Sequence, residues 1–146
     1  MKTIPRNIAA VVVGLFVGSI VNMALITASP HVIPPPPGVD GSNVASMKAS
    51  MHLYEAKHFL FPFLAHAAGT FVGALTAFLI AGSRRELFAY VIGLLFLVGG
   101  ISACFMIPAP AWFMALDLIA AYLPMAWLAI QLGRRFNSHP TTPTSP

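Results

Sequence analysis

Of the four acidic residues in the chain, Asp117 lies inside a long apolar run, and of the five histidines His66 lies inside another. A carboxylate held in hydrocarbon costs on the order of 2.5–3.5 kcal/mol by insertion scales, so it turns toward a partner or a wet cavity. An imidazole titrates near neutrality, and a carboxylate beside it shifts the proton affinity of both groups. An Asp–His pair in that setting has two uses. It can take up a proton, an ion or a small polar ligand. It can also act as interhelical glue, a hydrogen bond that fixes which helix faces which. Asn22 and Ser102 are polar residues in the two remaining apolar runs. Counted from the same side of each run at about 1.5 Å per residue, Asn22 lies about 9 Å deep, His66 about 12 Å, Ser102 about 9 Å and Asp117 about 10 Å. Each run thus brings one polar side chain to a common level, and Asp117 is expected to point inward with His66 or Asn22 as its partner.

A second constellation is Glu55-x-x-His58, preceded by His52. Facing E-x-x-H pairs build di-iron sites in helical bundles, but such a site needs two copies and further carboxylates. The other acids are Asp40, Glu86 and Asp117, and Glu86 falls on the opposite side. His52, Glu55 and His58 therefore stand as the candidate metal ligands, against the plainer reading of a solvated interfacial set. Gly14 and Gly18 form one G-x-x-x-G and Gly69 and Gly73 another, and the two share the pattern G-x-F-V-G. Small residues at this spacing let helix backbones approach closely. They serve either packing within the chain or a homodimer face. The lone Cys104 has no intrachain disulfide partner. No glycine-rich phosphate loop and no serine–histidine pairing is present, so no complete catalytic set can be assembled and no cofactor is expected.

These residues have to be positioned by membrane helices. Hydrophobic residues make up 58% of the chain and charged residues 8%, against about 25% charged in soluble domains. Too few charges remain to cover a water-exposed surface. A span needs about twenty apolar residues to cross a hydrocarbon core of about 30 Å. Four runs qualify, at about 7–28, 58–81, 87–107 and 111–132, with Pro108-Ala109-Pro110 breaking the last two apart. The expected fold is all-α, a single four-helix transmembrane domain over 1–136, followed by a polar Pro/Thr-rich tail over 137–146 that is expected to be disordered.

Between the first two spans the sequence predicts a stiff Pro34–Pro37 run, a turn, and an amphipathic helix from Val44 capped by Ser42 or Asn43. Val44, Met47, Met51 and Tyr54 fall at helical spacing, so this helix is expected to lie in the membrane interface and to run into the second span. The net charge of +4 answers to the membrane and not to nucleic acid. Lys2, Arg6, Arg84, Arg85, Arg134 and Arg135 all fall on one side of four alternating spans, which places both termini in the cytoplasm. Trp112 and Trp127, roughly 22 Å apart by helical rise, fit interfacial positions at the two ends of the last span. Lys2, Arg6 and Ala28-Ser29-Pro30 also permit a signal-peptide reading, although the apolar run exceeds the usual h-region of about 7–15 residues.

The stretch from Pro34–Pro37 through Asp40, Ser42-Asn43, Lys57-His58-Phe59 and Phe61-Pro62-Phe63-Leu64-Ala65-His66, joined by Ala115-Leu116-Asp117-Leu118 and Ala121-Tyr122-Leu123-Pro124-Met125, resembles small uncharacterised four-helix membrane proteins of bacteria. The resemblance covers nearly the whole chain apart from the tail. It implies an inner-membrane protein and supplies no activity. Two functions fit: an interaction or accessory subunit that meets the lipid bilayer and a protein partner or a second copy, or a small transporter or ligand-binding protein using the polar layer.

Overall fold

The computed structural model describes residues 3–137, so nearly all of the expected tail lies outside the described residues. The described residues are helical, with no strand. Four helices are long and apolar enough to cross a membrane.

Helix α1 spans Thr3–Val32, longer at both ends than the apolar run alone. At about 1.5 Å per residue its 30 residues reach about 45 Å, beyond the hydrocarbon and through both interfaces. Its buried positions are Ala10, Gly14 and Gly18, one row of residues four apart. That row lies on α3, Leu60–Ile80, which runs antiparallel to it. A Cβ built at Gly14 would stand 2.7 Å from the Gly73 carbonyl oxygen, and one at Gly18 2.6 Å from that of Gly69. Reciprocally, Cβ atoms at Gly69 and Gly73 would stand 2.9 and 2.8 Å from the carbonyls of Gly18 and Gly14. The two G-x-F-V-G segments therefore face each other about a local two-fold, and their close approach is used within the chain. Helix α3 is the axis of the bundle and touches every other span. Its buried face is mostly Ala and Gly, which lets three neighbours approach at once.

The outer loop departs from expectation. Pro36 to Val39 form a turn closed by the Val39 N–H to the Pro36 carbonyl, with Gly38 supplying the positive φ of 81° that its third position needs. The Asn43 side chain caps α2 by accepting from the Ala45 and Ser46 N–H groups. Helix α2 covers only Val44–Ala49 and does not run into the second span. A 3₁₀ turn at Met51–Leu53, extended Tyr54 and a second 3₁₀ turn at Ala56–Phe59 intervene. Ring contacts hold this segment down: Phe59 lies 4.8 Å from Phe113 and 5.7 Å from Trp112, and Tyr54 lies 5.4 Å from His58. Aromatic packing thus replaces the helical stripe that the spacing predicts.

At the other end, Asn7 ties α1 to the turn after α3, accepting from the Gly82 N–H at 2.9 Å and donating to the Ser83 hydroxyl. Arg6 Nε donates to the Ile80 carbonyl. Helix α4 follows over Arg85–Met106. The fourth span is interrupted, with α5 over Ala111–Ala120 and α6 over Leu123–Asn137. Pro124 has no N–H for the Ala120 carbonyl, and its ring crowds the preceding turn. The Ala121 N–H to Asp117 carbonyl and Ala126 N–H to Tyr122 carbonyl bonds bracket the break. The main core joins Ala74, Ala77 and Phe78 of α3 to Ile92 of α4 and Ala126, Ala129 and Ile130 of α6. A smaller cluster joins Ala67 to Ala121 and Tyr122 at the break.

Candidate functional site

The break in the fourth span builds the site. Asp117, on the last turns of α5, is 2% exposed, and His66 reaches it from α3. His66 Nδ1 lies 2.9 Å from both Asp117 carboxylate oxygens. With Asp117 ionised its oxygens only accept, and Nδ1–H is then the donor. The Tyr122 hydroxyl donates to Asp117 Oδ2 at 2.8 Å. The Tyr122 ring, 1% exposed, stacks on the His66 ring with centroids 5.8 Å apart. Each member is thus held by hydrogen bonds from a different element.

Tyr122 is the member that sequence reasoning missed. It follows Asp117 by five residues, which on a continuous helix places the two about 140° apart at 3.6 residues per turn. Only the unwinding at Ala121–Tyr122 turns the hydroxyl back to the carboxylate. Room for it comes from α4, where a Cβ at Gly100 would overlap the Tyr122 hydroxyl. The available signals were a proline two residues beyond a tyrosine and a Gly99-Gly100 pair in the neighbouring span.

The four-membered polar layer does not form. Ser102 is exposed, and its hydroxyl donates to the Val98 carbonyl of its own helix at 2.8 Å. It lies about 200° around α4 from the Gly100 notch at 3.6 residues per turn, so equal depth did not mean a shared face. What α4 offers instead is Gly100. Asn22 packs against Gly69, where a Cβ would lie 3.0 Å from its own, and it makes no hydrogen bond to the pair among the described residues. Helix α1 meets α3 through the glycine face, about 60° around that helix from His66. One turn beyond His66, Thr70 is wholly buried and its hydroxyl has no partner among the described residues. Other span hydroxyls, at Thr27 and Thr76, bond the carbonyl four residues back.

The Glu55-x-x-His58 motif resolves into a cap. The Glu55 side chain accepts from the His58 backbone, and His58 Nδ1 accepts from the Glu55 N–H at 2.9 Å, a reciprocal capping box for the second 3₁₀ turn. Glu55 also pairs with Lys57 at 3.1 Å. His52 is exposed in the preceding turn. Among the described residues no group of three His, Cys, Asp or Glu side chains is placed to hold a metal ion. Glu55 and His58 are thus engaged in shaping the loop.

No family model, curated protein or solved structure matches this chain.

Proposed function

We propose that this chain is a non-enzymatic protein of the bacterial inner membrane, an interaction or accessory subunit with both termini in the cytoplasm. The observation that carries the reading is the direct closure of His66, Asp117 and Tyr122 on one another. Their strongest polar atoms satisfy each other, which is what a structural knot between α3, α5 and the break before α6 requires. The glycine faces of α1 and α3 are consumed inside the chain, so a partner has to meet another surface. The row Ile4, Ile8, Val12, Phe16, Ile20 and Met23 on the outer side of α1 is exposed and apolar. Orientation rests on the arginines, since Arg6, Arg84, Arg85, Arg134 and Arg135 gather at one end and the positive-inside rule assigns that end to the cytoplasm.

The test is affinity purification from native membranes in mild detergent, followed by native mass measurement. A stoichiometric membrane-protein partner or a defined homo-oligomer supports the reading. A protein that runs as a bare monomer under every mild condition overturns it.

One observation favours a second reading, a proton-linked transporter or ligand-binding protein. The His66 side chain is 22% exposed while that of Asp117 is 3% exposed, and Nε2 has no protein partner among the described residues. The His66 ring is therefore not wholly enclosed by the knot. Asp117→Asn separates the readings: it leaves a structural knot nearly intact and abolishes a proton-linked activity.

A further inference from the structure

The knot leaves one strong polar atom unspent. His66 Nδ1 faces the Asp117 carboxylate at 2.9 Å, while Nε2 has no protein partner among the described residues and the side chain keeps 22% of its surface exposed. We infer that Nε2, backed by the Asp117 carboxylate, is a binding site for a lipophilic primary ammonium ion. Such a site rests on the ligand-binding reading above and gives that ligand a chemical class.

Charge sets the sign of the ligand. With Asp117 ionised and only Nδ1 of His66 protonated, the imidazole is neutral and Nε2 carries a lone pair. The Tyr122 hydroxyl keeps its proton and donates it to Asp117 Oδ2. The three side chains then hold one net negative charge in hydrocarbon, where an ionised group needs a counter-charge. At this level α4 brings Cys104 as its titratable residue, α1 brings Asn22 and no charge, and α6 carries no charge before Arg134. Among the described residues no fixed cation meets the carboxylate. The counter-charge is therefore a proton on Nε2 or a cation lodged against it. These exclude each other, because a protonated Nε2 has no lone pair and makes the pair neutral.

The lone pair and the depth narrow the cation. Nε2 accepts, so the cation has to bring an N–H, which a primary ammonium does and a quaternary one does not. A metal ion would need further ligands, and among the described residues no group of three His, Cys, Asp or Glu side chains is placed to hold one. Two more polar groups near His66 have hydrogen bonds unmade. Thr70, on the next turn of α3, is wholly buried and its hydroxyl has no partner among the described residues. Asn22 follows Gly18 by one turn on α1, and Gly18 lies against Gly69, so Asn22 comes level with the turn of α3 that holds His66. Polar groups left unmet at such a level mark a place that a polar guest completes. His66 lies about 12 Å below the outer end of its span. That is deeper than a lipid headgroup sits, so the ammonium arrives on a free amphiphile whose alkyl body stays in hydrocarbon.

The full-length protein in an uncharged detergent is titrated by calorimetry with n-octylammonium at about pH 5.5 and about pH 8.5, on either side of the range in which an imidazole titrates. An alkylammonium stays charged across that range. Octyltrimethylammonium, n-octanol and n-octanoate are run alongside. Saturable one-to-one binding of octylammonium is expected, at least about threefold tighter at the higher pH, where the proton no longer competes. Octyltrimethylammonium and the Asp117→Asn protein are each expected to bind about tenfold more weakly, from the loss of a charge-assisted hydrogen bond or of the charge behind it. Octylammonium binding that is no tighter than that of octyltrimethylammonium, or that ignores pH, overturns the inference. So does binding that Asp117→Asn leaves unchanged. Octanol or octanoate binding in place of octylammonium, and weakened by Asp117→Asn, overturns the ammonium and keeps the ligand-binding reading. Binding of none of the four overturns both. The wild-type comparisons of pH and of the two ammonium ions need no variant, so a fold defect in Asp117→Asn does not remove the test.

Discussion

Gly100→Ala is the most direct test of the knot at the broken helix. A Cβ at Gly100 would overlap the Tyr122 hydroxyl and would come within 2.5 Å of Cζ and 2.9 Å of Cε2. Tyr122 is 1% exposed, so its ring has nowhere to withdraw. Overpacking a filled site costs about 1–3 kcal/mol. Displacing the hydroxyl also breaks its 2.8 Å bond to Asp117, worth about 0.6 and at most about 1.7 kcal/mol between membrane helices. The expected loss is therefore about 2–4 kcal/mol, or about 5–15 °C in melting temperature for a unit of this size. The adjacent Gly99 has nothing within 4 Å of its would-be Cβ. Gly99→Ala should be neutral or slightly stabilising, since alanine exceeds glycine in a helix by about 0.5–1 kcal/mol. Thermal unfolding of the purified protein in detergent compares the two directly. Adding Tyr122→Phe to Gly100→Ala removes the nearest clashing atom and should recover about 1 kcal/mol, although Phe alone is destabilising through the lost bond. Equal melting of the Gly99→Ala and Gly100→Ala proteins, or a Tyr122→Phe effect that merely adds to that of Gly100→Ala, would refute the packing argument.

Gly18→Leu puts a Cβ 2.6 Å from the Gly69 carbonyl and 2.9 Å from Phe96 Cζ; because one of these is backbone, the melt should fall by at least the upper part of the 1–3 kcal/mol overpacking range, about 3 kcal/mol. An unchanged melt with an altered oligomer mass would show that this glycine face works between chains. Pro124→Ala restores the missing N–H and favours a continuous fourth span, which carries Tyr122 away from Asp117; Tyr122→Phe should then cost nothing in that background, and an undiminished cost would show that the break does not depend on the proline. In the loop, the Ser42 hydroxyl and then the Ser42 N–H, both bonded to the carboxylate, hold Asp40 below its ordinary value of 3.8. This turn is therefore supported above that value and loosens as pH falls through the lowered pKa. A carboxyl titration by NMR should show Ser42→Ala bringing the Asp40 midpoint back up, and an unmoved midpoint would remove the hydroxyl as the main cause.

The four spans were legible because length and hydropathy alone decide which segments lipid can accept. Their ends were less so, since α1 and α6 carry helix beyond the hydrocarbon, where tertiary contacts such as those of Asn7 and Arg6 decide. Depth counting brought Asp117 and His66 to one level, and the structure has them in contact. The same count failed for Ser102, because depth fixes the rise along a helix and says nothing of the angle around it. Tyr122 was hidden for the same reason, its angle being set by a break that regular periodicity does not contain. In the loop, Glu55 and His58 carry metal-ligand chemistry on paper, yet a three-residue separation is also the spacing of a capping box, and the backbone claimed them first.

The break at Ala121–Tyr122 joins these observations. Unwinding a helix in hydrocarbon leaves backbone groups that cost several kcal/mol each if they face lipid, so it is tolerated only where protein surrounds it. Ala121 is fully buried and packs with Ala67 of α3, which meets that condition. The unwinding in turn frees Tyr122 to donate to the buried Asp117 carboxylate. Pro124, the break, the Gly100 notch and Asp117 are thus one device, in which each irregularity is stable only because the others are present. A device of that kind fixes the relative rotation of α3, α4 and the two halves of the fourth span.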